Sequence, residues 1–195
     1  MTKHDITRAD IIPMTEYAKI RIEKRKALVE TKRNRRVEIG PFACFYFESY
    51  ETMWMQIHEM LYIERGGEEQ IEDELRAYSP LVPKGNELVA TVMFEIDDPI
   101  RRKSVLTRLG GVEHTMSLQF AGETITAVPE QDVERTNAEG KASSVHFMHF
   151  PFTREQIEKF RQPRTQVIVG IGHEGYAHMA VMAEVVRQEL AKDFA

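Results

Sequence analysis

Residues 49–65 read Ser-Tyr-Glu-Thr-Met-Trp-Met-Gln-Ile-His-Glu-Met-Leu-Tyr-Ile-Glu-Arg. Ser49 is suited to cap a helix here, and Gly66-Gly67 to stop it. Wound at about 100° per residue, Met53, Trp54, Ile57, Met60 and Leu61 cover one broad arc. Met55 and Tyr62 lie on its far side. A helix apolar almost all round is buried on most of its faces. The chain must therefore build neighbours on more than one side of it. Glu64 falls within the apolar arc, so it is expected to pair with a basic residue. Glu51, His58 and Arg65 recur every seven residues along one stripe, as an ion-pair ladder would.

The partners for these acids lie upstream. Lys19–Arg36 holds nine basic residues and two acids. On a helix, Tyr17, Ile20, Ala27 and Leu28 make one apolar seam. Ala18, Ile22 and Val29 make a second, with Arg21, Arg25 and Lys32 between them. A basic row flanked by apolar residues calls for a negative surface. That surface is the acidic helices of the same chain, another protein, an anion or nucleic acid. Charge is segregated along the chain. Residues 1–39 carry 11 Lys/Arg and 6 Asp/Glu, residues 40–98 carry 3 and 13, and residues 99–195 carry 12 of each. The simplest reading packs the basic segment on the acidic one. A pI of about 5.8 argues against a nucleic-acid protein. The candidate binding residues are Arg21, Arg25, Lys32, Gln56 and His58.

Thr7 and Asp10 form a capping box signal, and Pro13 opens a long helix over about 14–33. Two short strands follow around Gly40-Pro41, then the helix from Ser49 and a third over 68–78. The later chain predicts a strand over 88–96, a short helix from Pro99 and a hairpin about Ala121-Gly122. A polar loop over 129–142, a strand over 144–152, a helical turn capped by Thr153 and a strand over 166–171 follow. A closing helix is expected over 175–194. Regular βαβ alternation is absent, so the fold class is α+β with a mainly antiparallel sheet. It has a long N-terminal helix, two central helices and a C-terminal helix. Residues 1–195 read as a single domain, helix-rich over 1–85 and β-rich over 86–195.

One cysteine, Cys44, excludes an internal disulfide and an all-cysteine metal site, and its apolar strand suits a buried, inert thiol. The N-terminus has no apolar core of a secretory signal, and no run is long enough to span a membrane. A cytoplasmic location is expected. Ten methionines suit an irregular core or an adaptable contact surface. There is no Gly-x-Ser-x-Gly, Walker loop or His-Glu-x-x-His, so the reading leans away from an enzyme. Gly170-Ile-Gly-His-Glu-Gly175 has the spacing of a dinucleotide loop but no room for a full βαβ unit after it. His146 and His149 face opposite sides of a strand. Glu59, Glu64, His146 and His173 supply a His/carboxylate centre for iron, zinc or manganese if the fold brings them together.

Several blocks together resemble a known family. They are Arg35-Arg-Val-x-Ile-Gly-Pro41, Phe47-Glu48, Gln56-Ile-His-Glu-Met-Leu61, Glu74-Leu-x-Ala-Tyr-Ser-Pro-Leu-Val-Pro83 and Glu87-Leu-x-Ala-Thr-Val-Met-x-Glu95. Val145-His-Phe147 and His173 before Tyr176 extend them. The family is the bacterial domain of unknown function 3501. The resemblance implies a stand-alone bacterial cytoplasmic protein. It also implies genes encoded beside rubrerythrin-like and heterodisulfide-reductase-type iron–sulfur proteins, a redox or oxidative-stress setting. It assigns no residue a role and does not call for histidine at position 58. Three functional readings follow. The first is an accessory protein that docks on an oxidoreductase partner of the rubrerythrin-like or iron–sulfur kind. The second is a metal-binding protein or metal-dependent enzyme. The third is anion or nucleic-acid binding by the first helix.

Overall fold

The computed structural model describes residues 3–130 and 140–195. Of the polar loop expected over 129–142, residues 131–139 lie outside the described residues. The N-terminal half follows the local signals closely. The Thr7–Asp10 capping box closes a single turn, and helix α1 then runs Met14–Arg33. Strands β1 (Arg36–Ile39) and β2 (Ala43–Phe47) form a hairpin. Helix α2 spans Tyr50–Glu64. Its capping box is reciprocal: the Ser49 hydroxyl accepts from the Thr52 N–H, and the Thr52 hydroxyl accepts from the Ser49 N–H. Arg65 ends it in the left-handed conformation at φ 57°. Helix α3 is Glu68–Tyr78.

The second half supplies β3 (Glu87–Phe94), α4 (Pro99–Leu106), β4 (Met116–Phe120), β5 (Glu123–Thr126) and β6 (Val128–Pro129). Then come β7 (Val145–Pro151), α5 (Arg154–Arg161), β8 (Val167–His173), β9 (Tyr176–Val181) and α6 (Glu184–Leu190). The fold is α+β, with two antiparallel sheets among the described residues. One has the order β1-β2-β3-β7-β6 and the other β5-β4-β8-β9. The closing helix expected over 175–194 is a correction. Residues 176–181 pair with β8 instead, and the helix is confined to 184–190. The Gly170–Gly175 segment is the β8–β9 hairpin, with no helix after it, so it has no dinucleotide-loop geometry.

The sheets meet along two seams. At one, Ala127 leaves β5 and the chain enters β6, so a single bent strand serves both sheets. At the other, the Tyr176 hydroxyl donates to the Ile39 carbonyl at 2.6 Å. It also accepts the N–H groups of Phe42 at 2.8 Å and Ala43 at 2.9 Å. Gly40 permits this approach. Its φ is +63°, and a Cβ there would sit 2.6 Å from the His178 ring. Alternate residues of the strands (Phe45, Phe47, Ala90, Val92, Leu118 and Val169 among them) fill one core between the sheets. The other face of the first sheet carries Val89 and Phe147 against Met53, Ile57, Leu61 and Ile71 of α2 and α3. Helix α2 thus lies between this sheet and α1, which explains its apolar surface on several sides.

One buried ion pair ties the α1–β1 junction to the C-terminal turn. Arg35 and Asp193 are each only 3% exposed and bond through both guanidinium arms. Burial pushes the Asp193 carboxyl above the usual carboxylate range, and Arg35 opposes that push. Truncating one member of a buried pair strands the other charge and costs about 3–5 kcal/mol. Chemical denaturation of Asp193→Ala is expected to show a loss of that size. A loss below about 1 kcal/mol, the scale of a surface pair, would contradict this role.

Candidate functional site

Helix α1 is joined to α2 by few but specific contacts. Tyr17 is the one residue of α1 that is fully buried. Its ring meets Trp54, His58 and Tyr62 at centroid distances of 5.9, 5.0 and 6.0 Å. Its hydroxyl donates to Glu59 at 2.6 Å. Burial, and then Glu59, push the Tyr17 phenol well above its usual range. Arg21 grips the same carboxylate with two bonds of 2.7 and 2.8 Å and lies over the Tyr62 ring. Those bonds hold the Glu59 carboxyl below the usual range. Arg21 is therefore committed within the chain.

His58 does not belong to an ion-pair ladder, which is a second correction. It is wholly buried, and its ring stacks on Trp54 at 3.8 Å. Its Nδ1–H donates to the Trp54 carbonyl at 2.7 Å, while Nε2 accepts the Ile12 N–H at 3.2 Å. This arrangement needs the neutral ring, and burial pushes its pKa below the ordinary histidine value. Glu51 and Arg65 stay exposed at the two ends of α2. Glu64 is exposed too and accepts from the Gln70 amide at 2.8 Å, so the expected buried carboxylate paired to a base does not form. The last turn of α2 projects beyond Leu61, its last buried residue.

The remaining binding candidates meet. Arg25, Lys32 and Gln56 line one recess between α1 and α2. Lys32 and Gln56 continue into a neighbouring cavity of about 310 Å³ beneath α1, over the outer face of the first sheet. Tyr46, Thr91, Met93 and Phe147 floor it, and Met53 and Tyr78 wall it. Its deepest polar group is Glu48, 7% exposed. Thr52 donates to one Glu48 oxygen at 2.5 Å and Thr91 to the other at 2.6 Å. Among the described residues, no basic side chain forms an ion pair with Glu48, and Arg25 and Lys32 form none with any acid. Glu48, Thr91 and Tyr78 were not candidates in the sequence reading. The available signal was that blocks 47–48, 56–61, 74–83, 87–95 and 145–147 all reach this cavity. A larger cleft of about 590 Å³ lies on the other flank of α1, with mostly apolar walls such as Ile11, Met14 and Leu61.

The four metal candidates are dispersed. Glu59 is held by Arg21, and Glu64 is at the exposed end of α2. His146 is buried in β7, its Nε2 against the Ser143 carbonyl at 2.9 Å. His173 sits at the β8–β9 turn, where Nδ1 accepts the Gly175 N–H and Nε2 faces the Gly110 carbonyl. Among the described residues, no three His, Cys, Asp or Glu side chains are placed to hold a metal ion. Cys44 is buried, and burial pushes its thiol up.

The chain belongs to the DUF3501 family. The model described as "Protein of unknown function (DUF3501)" matches residues 5–194. The chain is also similar to a solved structure, described as a novel protein of unknown function from Burkholderia pseudomallei K96243. The two share 33% identity over 98% of this chain and 100% of the other, with a TM-score of 0.90. A search of curated proteins finds no match. No helix among the described residues is long and apolar enough to cross a membrane.

One histidine outside the candidate set has a distinct environment. His149 Nδ1 lies 3.0 Å from Glu87 and Nε2 lies 2.9 Å from Glu130. Two carboxylates on one ring require the imidazolium form. Burial works against that charge, but Glu87 and then Glu130 outweigh it, and the pKa is raised. A group with a raised folded pKa stabilises fully below its unfolded value, about 6.5 for histidine. That contribution is lost as pH rises through the folded pKa. Stability is expected to fall with rising pH in this window, and His149→Gln to flatten the slope. Equal slopes for the two proteins would contradict the assignment.

Proposed function

We propose that the chain is an accessory protein that docks on a protein partner through the exposed apolar flank of α1. The carrying observation is the exposed pair Ile22 and Val29, 69% and 60% accessible. They lie seven residues apart, two helical turns, and so share a face. Helices that pack on a core turn such residues inward. Here Tyr17 takes that task, and Ile22 and Val29 are left largely exposed, Val29 at the rim of the recess between α1 and α2. Lys19, Lys26 and Arg33 flank them and are exposed, Arg33 paired to Glu30 at 3.1 Å. An apolar stripe with a basic border suits a partner presenting an apolar groove with acidic edges. An oxidoreductase of the rubrerythrin-like or iron–sulfur kind is the partner class the family resemblance suggests. Commitment of Arg21 to Glu59 removes one cation from the alternative of anion or nucleic-acid binding at α1.

A photo-crosslinker placed at Val29 in the native host tests this reading. It should capture one oxidoreductase with an acidic surface, and the same label at Thr124 on the second sheet should not. The double variant Ile22→Asp/Val29→Asp should lose the adduct while keeping its melting temperature within about 2 °C, as surface changes do. Identical captures from both label positions, or capture undiminished by the double variant, would refute it.

A further inference from the structure

The cavity under α1 holds a charge arrangement that the docking face does not use. We infer that it binds a small aminocarboxylate, with the ligand ammonium on Glu48 and its carboxylate toward Lys32 and Gln56. Burying a carboxylate without a counter-ion is costly. Glu48 is nevertheless 7% exposed and has hydroxyl donors as its side-chain partners. An ionised carboxylate has about four acceptor sites, and Thr52 and Thr91 occupy two. The remaining sites suit the N–H groups of a ligand cation. Lys32, in turn, is a cation without an acidic partner among the described residues, on the wall of the same cavity. Gln56 beside it offers an amide, 3.4 Å from the Tyr78 hydroxyl. A molecule charged at both ends satisfies both unpaired groups, whereas a simple amine leaves Lys32 unmatched and a simple acid leaves Glu48 unmatched.

The rest of the lining agrees with a short apolar body. Met53, Met93 and Phe147 contribute apolar surface to the lining that Glu48 and Lys32 share. At about 310 Å³ the cavity is at the small end of ligand sites, which run from about 300 to 1,000 Å³. Backbone bonds fix both charged residues. The Glu48 N–H donates to the Val89 carbonyl at 2.7 Å, and the Glu48 carbonyl accepts from Arg35 at 2.7 Å. The Lys32 carbonyl accepts the Arg35 N–H at 3.1 Å.

Isothermal titration calorimetry of the full chain with four probes tests the assignment. L-leucine and 6-aminohexanoate are isomers that carry both charges at different spacings. Hexylamine and hexanoate each carry one. At least one of the two zwitterions should bind at least tenfold more tightly than both single-charge probes. Glu48→Gln should weaken that binding at least tenfold, and Lys32→Met, a change at an exposed helix position, should erase the preference over hexylamine. Binding by neither zwitterion, equal binding of hexylamine, or undiminished binding by Glu48→Gln would overturn the inference. Circular dichroism of both variants separates loss of the site from loss of the fold.

Discussion

The Arg35 guanidinium joins β2, the start of α2 and the C-terminal turn through one side chain. Its Nε donates to the Phe47 carbonyl, one Nη to the Glu48 carbonyl, and both arms reach Asp193 near the C-terminus. Its own N–H and carbonyl bond to Lys32 and Phe47. A rigid planar fork with five donors suits this task better than lysine would. Without Asp193, the buried guanidinium would keep only the partly exposed Glu189 carboxylate, 3.8 Å away, as a counter-charge. Without Arg35, three backbone segments would lose donors or anchors where water does not reach. The same residue sets the end of α1, the exit from β2 and the seat of the C-terminal turn. Both charged groups of the cavity, Lys32 and Glu48, are therefore positioned by one side chain and its backbone.

The cavity follows from the two-residue period of the strands. In β3, Ala90, Val92 and Phe94 enter the core between the sheets, so Thr91 and Met93 must face the helices. Tyr46 and Phe147 take the same side from β2 and β7. Helix α2 covers much of that face, and α1 rests on α2 through Tyr17 and the Arg21–Glu59 bond. Because α1 continues well past that anchor, its later turns stand over the sheet without filling the space. The recess and the exposed apolar flank of α1 thus have one cause. It is a twenty-residue helix held to α2 by Tyr17 and Arg21 in its first half and anchored by Arg35 just past its end.

Elements with strong local signals were legible in the sequence. Caps at Ser49 and Thr153, and stops at Gly66-Gly67, placed helices close to their observed bounds. Strand β9 was not legible, for a physical reason. It is an edge strand with both faces largely exposed, so Ala-His-Met-Ala carries no inside–outside alternation and is compatible with a helix. Wheel arithmetic misplaced Glu64 because it assumes the neighbours extend along the whole helix. Charge segregation told part of the story. Arg21–Glu59 and Arg8–Glu68 do join the basic and acidic segments. The buried Arg35 instead reaches Asp193 in the balanced segment. Three of the five binding candidates share the recess, Arg21 adjoins it through Glu59, and His58 is turned into the aromatic cluster. The Glu48–Thr91 contact spans 43 residues, and no periodicity or spacing rule exposes such a pairing.

Amide hydrogen exchange on Arg35→Met tests the central claim most directly. If Arg35 seats both β2 and the cavity, protection should fall chiefly at Phe47, Glu48 and the first turn of α2. Amides of the β4–β8 pair, which Arg35 does not touch, should keep theirs. Uniform loss across both sheets, or unchanged protection at Phe47 and Glu48, would contradict the account.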